Sequence, residues 1–141
     1  MATGDRLVTV RQSGRRLRIL LAEDDAVISA LIAEILVEFG HDVCGVTRSK
    51  QETIEAAAQC APDLMIVDAQ LRAGTGIAAM DAILRQAAMP HIFMTGGTLQ
   101  TFPPETMVLR KPFAAADLKA LVETVSAQIA ALAEGSVDVQ P

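Results

Sequence analysis

Glu23-Asp24-Asp25, Asp68 and Thr95 each follow directly on a short apolar stretch, and Lys111 follows one with Arg110 between. The stretches are Ile19-Leu20-Leu21-Ala22, Leu64-Met65-Ile66-Val67, Ile92-Phe93-Met94 and Met107-Val108-Leu109. A continuous apolar run this short, with no polar alternation, reads as a strand of a parallel sheet covered on both faces. In open parallel sheets ligands collect beyond the carboxyl ends of the strands, so these residues are expected along one edge. Three carboxylates brought together repel one another and require a cation. An all-oxygen set with room for water suits a small hard divalent ion, Mg²⁺ above all. Lys111 is a fixed positive charge for an anion, and the Thr95 hydroxyl can donate to an oxyanion. Carboxylate nucleophile, Mg²⁺, hydroxyl and lysine are the parts needed to transfer a phosphoryl group onto an aspartate. A turn-capping Asp or a structural ion pair explains any two of these residues, but not the whole set at four strand ends.

The elements that must position them follow from spacing. Residues 1–16, with Gly4, Ser13 and Gly14 and no sustained period, are expected to form a flexible tail. The strand Arg18–Ala22 comes next. A helix over 26–39 carries Val27, Leu31, Ile35 and Phe39 at helical spacing with Ile28, Ile32 and Leu36 beside them, and Gly40 stands where a helix C-cap belongs. A short strand covers 41–46, and Ser49 caps a helix over 50–59. The central strand leads into Asp68 and the loop Ala69–Gly76. The helix 77–86 turns Ile77, Met80, Ile83 and Leu84 inward, and the strand 91–94 precedes Thr95-Gly96-Gly97. Residues 98–106 match no regular element. The fifth strand, 107–110, leads into Lys111-Pro112-Phe113. A last helix over 114–133 buries Leu118, Leu121, Val122, Val125, Ile129 and Leu132, leaving 134–141 as a polar tail. Five strands alternating with helices predict an α/β fold, a five-stranded parallel sheet with helices on both faces, over a single domain 17–133.

Bulk properties narrow the function. Hydrophobic residues make up 51% of the 141, with no Trp or Tyr, so the core is aliphatic. Residues 1–18 carry a net +4 and the rest −9. An acidic body argues against nucleic-acid binding, and the basic tail is too sparse to reverse that. No apolar run is long enough to span a membrane and no export signal is visible, so a cytoplasmic protein is expected. Cys44 and Cys60 lack metal-ligand spacing and read as reduced, buried thiols.

With these motifs in order, the chain resembles a response-regulator receiver domain of bacterial two-component signalling, from about Arg18 to Ala133. Leu20-Leu21-Ala22-Glu23-Asp24-Asp25, Pro62-Asp63-Leu64-Met65-Ile66-Val67-Asp68, Phe93-Met94-Thr95-Gly96 and Lys111-Pro112-Phe113 carry the resemblance. It implies a flavodoxin-like receiver fold with Asp68 as phosphoacceptor. Glu23, Asp24, Asp68 and the Gln70 backbone carbonyl would be the Mg²⁺ ligands, and Thr95 and Lys111 the phosphoryl contacts. It also implies a cis Lys111-Pro112 bond and a histidine kinase or histidine phosphotransfer protein as donor, with an unidentified downstream protein.

The departures from the family pattern are specific. Val108 stands where receivers commonly carry a switch aromatic, and Arg72 where a proline often follows the phosphoacceptor. The segment before Lys111 is short and contains Pro103-Pro104. Pro90, Phe93, Thr95 and Gly96 resemble a subgroup of stand-alone receivers, largely alphaproteobacterial, that lacks the aromatic switch. The expected fourth helix is therefore short or disordered, with Gly96, Gly97 and Phe102 in a switch loop. Signalling by protein contacts, with no enzyme activity beyond self-catalysed phosphotransfer and dephosphorylation, is the leading reading. A phosphate sink within a relay and a phosphorylation-independent binding module are the alternatives. A flavin-binding electron carrier of the same architecture needs a hydroxyl-rich first loop and ring-holding aromatics, which this chain lacks.

Overall fold

The computed structural model describes residues 15–97 and 102–139. In chain order the elements are β1 (Arg18–Ala22), α1 (Ala26–Glu38), β2 (Asp42–Thr47), α2 (Lys50–Cys60), β3 (Leu64–Asp68), β4 (Gln70–Leu71), β5 (Gly74–Thr75), α3 (Gly76–Leu84), β6 (His91–Thr95), β7 (Val108–Arg110) and α4 (Ala115–Val139). The main sheet has the order β2-β1-β3-β6-β7, and every pairing in it is parallel. This is the parallel five-stranded sheet expected from the alternation of apolar runs, in the flavodoxin-like receiver order that the resemblance implies. The strand order reverses between β1 and β3, the place where open α/β sheets leave a crevice.

Alternation along each strand builds two cores. Ile19, Leu21, Leu64, Ile66, Ile92, Met94 and Leu109 pack under α1 and α4 with Ile32, Leu36, Leu118, Val122 and Val125. Leu20, Ala22, Met65, Val67 and Phe93 face the other way, under α2 and α3, with Met80 and Ile83. Each fully buried Leu or Ile removes enough apolar surface to contribute about 1.5–3 kcal/mol. This double burial is why β1 and β3 read as unbroken apolar runs.

Helix starts are set by side-chain caps. Asp25 Oδ1 accepts from the amides of Val27 and Ile28 at 2.9 and 3.0 Å. Ser49 Oγ accepts from Glu52 N at 3.1 Å, and Thr75 Oγ1 from Ala78 N at 3.0 Å. Asp25 thus serves as a cap, while its two acidic neighbours point elsewhere. Gly40, at φ +96, follows the last turn of α1 as the expected terminator.

The structure adds detail to the expected elements and corrects some of them. The apolar stripe on α1 is too wide for one face: Ile32 and Leu36 are buried, but Val27 is 77% and Leu31 55% exposed. Leu84 and Leu132 are likewise exposed rather than inward. Helix α3 ends at Leu84, two residues early, with Gln86 N turning to Ile83 O at 3.0 Å. Helix α4 runs to Val139 rather than stopping near Ala133, since no proline interrupts the Ala-rich run before Pro141. The loop after Asp68 contains an unexpected hairpin, β4 pairing β5 antiparallel. Its turn uses positive φ at Ala73 and Gly74. Between β6 and β7 the described residues contain no helix; Thr106 N closes a turn onto Pro103 O at 2.9 Å. Of the expected switch loop, 98–101 lie outside the described residues, as do 1–14 of the expected tail. No helix among the described residues is long and apolar enough to cross a membrane.

Candidate functional site

β1 delivers Glu23 and Asp24, β3 delivers Asp68, β6 delivers Thr95, and Lys111 follows β7 by one residue. Register fixes their relative heights. Asp68 pairs with Met94, Thr95 pairs with Arg110, and Lys111 N donates to Thr95 O at 2.8 Å. Glu23 is held level with them because its amide donates to Thr47 O at 2.9 Å.

Carboxylate oxygens of Glu23, Asp24 and Asp68 all lie within 4.8 Å of one another. Glu23 and Asp68 are buried, and Asp24 is half-buried. Lys111 reaches over the end of β6 into this cluster. Its Nζ donates to Asp68 Oδ2 at 2.6 Å and to Glu23 Oε1 at 2.7 Å. The remaining acceptors are tied to backbone: Glu23 Oε2 accepts from Asp25 N at 3.1 Å, and Asp68 Oδ1 from Gln70 N at 2.9 Å. Gln70 therefore enters the geometry through its amide. Thr95 is buried, and its Oγ1 accepts from Gly97 N at 3.2 Å. The Lys111-Pro112 peptide is cis.

The electrostatics are those of an acid cluster short of positive charge. Burial pushes the Glu23 carboxyl above its ordinary range. The Lys111 hydrogen bond pulls the other way, and the Asp68 carboxylate adds to the rise. Burial alone would lower Lys111, but its hydrogen bonds to Asp68 and Glu23 outweigh that and raise it, so it stays charged. One ammonium against three carboxylates leaves two negative charges uncompensated, the complement of a divalent cation. The donors are all oxygen, which fits Mg²⁺.

Two features of the site were not legible beforehand. Gly76 is in close approach to its surroundings: a Cβ there would collide with the Asp68 carbonyl oxygen and sit 2.5 Å from Val67 Cγ1. The hairpin after Asp68 is also clamped to α2, with Arg72 N donating to Arg48 O at 3.0 Å and Lys50 N to Arg72 O at 3.4 Å. The glycine stood in plain view in the sequence, but its contact depends on how β3 enters α3.

Comparison with known proteins agrees with this geometry. Residues 19–123 match the family model described as "Response regulator receiver domain". The chain belongs to that family. Its general function is phosphoryl acceptance within response regulators. Among curated relatives, the transcriptional regulatory protein PdtaR of Mycobacterium tuberculosis is 32% identical over 112 residues, covering 75% of this chain and 55% of that protein. The phyllosphere-induced regulator PhyR of Methylorubrum extorquens is 32% identical over 126 residues, covering 80% of this chain and 47% of PhyR. The chain thus spans about half the length of these relatives. Among solved structures, the response regulator PhyR from Brucella abortus superposes with a TM-score of 0.75 at 26% identity, covering 96% of this chain and 58% of that one. The PhyR receiver domain of Erythrobacter litoralis gives 0.71 at 28% identity, over 78% of this receiver and 89% of that domain.

Proposed function

We propose that this receiver accepts a phosphoryl group on Asp68 from a phosphohistidine of a histidine kinase or histidine phosphotransfer protein. The observation that carries the proposal is the cluster of Glu23, Asp24 and Asp68 with Lys111 Nζ bridging two of them at the carboxyl edge of the sheet. An Asp68 carboxylate oxygen attacks phosphorus, the P–N bond breaks, and its electron pair returns to the imidazole nitrogen. Lys111 exchanges one carboxylate contact for an oxygen of the incoming group, and the Thr95 hydroxyl turns to donate to another. Glu23, Asp24, Asp68 and the Gln70 carbonyl would hold Mg²⁺, which neutralises charge on the transferring group when bound.

A protein donor is supported by the surface beside the site. Val27 and Leu31 are exposed on α1, next to a groove of about 480 Å³ lined by Ile28, Ile35, Pro112 and Phe113. An apolar surface next to a reactive group suits docking of an amphipathic helix. The unit that acts is the receiver core, residues 17–133, in the cytoplasm, and its output is a protein contact rather than a catalysed reaction. The test is labelling by a small-molecule phosphodonor with Mg²⁺. Wild type incorporates label in a Mg²⁺-dependent way, and Asp68→Asn does not. Label retained by Asp68→Asn would overturn the assignment.

A further inference from the structure

The alternation of side chains in β2 is broken at one point. Ile19 pairs with Val43 but Leu20 pairs with Gly45, so Cys44 is an extra residue in the β2 edge strand. A bulge of this kind bends the strand and re-aims its side chains. Cys44 packs on the α2 side of the sheet with Cys60, the last residue of α2. Gly45 faces the same way: a Cβ there would lie 3.3 Å from Cys60 Sγ. The missing side chain at Gly45 is what leaves room for the Cys60 sulfur. Cys60 Sγ donates to Cys44 O at 3.1 Å, and both thiols are free and only half-buried.

We propose that Cys44 and Cys60 form a reversible intramolecular disulfide when a peroxide oxidises the protein, pinning the C-terminal end of α2 to β2. Neither residue belongs to the phosphoryl site, so the proposal stands apart from the function argued above. A disulfide needs two sulfurs within reach of one another, and here the Cys60 sulfur reaches the Cys44 carbonyl and the two thiols are hydrogen-bonding neighbours. Burial, with the adjacent Cys60 thiol second, pushes the Cys44 thiol up to about 12, so Cys44 keeps its proton. The Cys60 thiolate attacks a peroxide oxygen, the O–O bond breaks, and the departing hydroxide takes up a proton as water, leaving a sulfenic acid. Cys44 sulfur then attacks that sulfur; S–O breaks, S–S forms, and the Cys44 proton leaves with hydroxide as a second water. Two electrons pass from the two thiols to one peroxide.

The test uses the full chain treated with hydrogen peroxide, then intact mass and non-reducing peptide mapping. The expected result is loss of two hydrogens and a linked peptide joining Cys44 to Cys60 within one chain. Dithiothreitol reverses it, and the thermal midpoint of the oxidised form rises by about 5–10 °C. Cys44→Ser should instead leave a sulfenic acid on Cys60 that dimedone traps. Wild type that gains oxygen without a cross-link, stays unmodified, or links only between chains would overturn the proposal. So would a cross-linked protein whose midpoint does not rise.

Discussion

Lys111 Nζ lies 2.6 Å from Asp68 Oδ2, although their strands, β7 and β3, are separated in the sheet by β6. The lysine spans that gap because Glu23 offers a second acceptor at 2.7 Å on the far side. Lys111→Met removes the only cation in contact with the acid cluster among the described residues. Phosphoryl labelling should fall by about 10²-fold, the usual loss when a positioned donor to a developing oxyanion is removed. Mg²⁺ should at the same time raise the thermal midpoint more in the variant than in wild type, because three carboxylates then face the ion without a competitor. Equal Mg²⁺ responses in calorimetry would contradict this account of the charge balance.

Gly76 gives a test with an unusual sign. At the first position of α3, Gly→Ala would normally stabilise by about 0.5–1 kcal/mol. Here the new methyl would meet the Asp68 carbonyl and Val67. Gly76→Ala should therefore destabilise by about 1–3 kcal/mol, the range for overpacking. It should also slow labelling at Asp68 by shifting its backbone. Urea unfolding measures the first effect and phosphodonor kinetics the second. A stabilised variant would show that the close approach relaxes freely.

His41 predicts acid sensitivity. The ring is buried, and its Nδ1 accepts from Leu17 N at 3.1 Å. Burial, then the nearby Arg16 guanidinium, lowers its proton affinity; Asp42 and Glu123 oppose this without reversing it. A histidine with a depressed folded pKa stays neutral in the native state while the unfolded chain takes up the proton. Stability should thus be lost as pH falls below the ordinary value of 6.5 toward the lower folded value, with no loss above it. His41→Asn keeps an acceptor for Leu17 N and cannot titrate. The difference in thermal midpoint between wild type and this variant should shrink across that window, and a constant difference would rule His41 out.

Phe102 stacks on Phe93 with ring centroids 5.2 Å apart and planes at 24°. Phe93 in turn pairs with Val108, the position without the expected aromatic. The connection before β7 therefore supplies from Phe102 an aromatic beside that position. Phe102→Ala should destabilise by less than the about 3–5 kcal/mol typical of a buried Phe, since Phe102 is only half-buried. A phosphoryl mimic at Asp68 should change amide exchange over 102–106. Protection that is high and unaltered by the mimic would exclude a switch in this segment.

The sequence by itself determined the layers and which acids, hydroxyl and lysine stand at the strand ends. Apolar runs too short for helices fixed β1, β3, β6 and β7, and residue type at each run's end named Glu23, Asp24, Asp68, Thr95 and Lys111. Both signals are local, because burial on two faces and the parallel-sheet edge follow from the chain's own pattern. What only the tertiary structure decided depends on contacts between distant segments. Asp25 became a cap while Glu23 turned inward, because Thr47 and Lys111 hold Glu23 from other strands. The exposed half of the α1 stripe could not be told from its buried half, since helical period reports a face and not what covers it. The approach of Gly76 to Asp68 and the bulge that sets Cys44 beside Cys60 are register effects. Register arises when strands pair, and no window of sequence contains both partners.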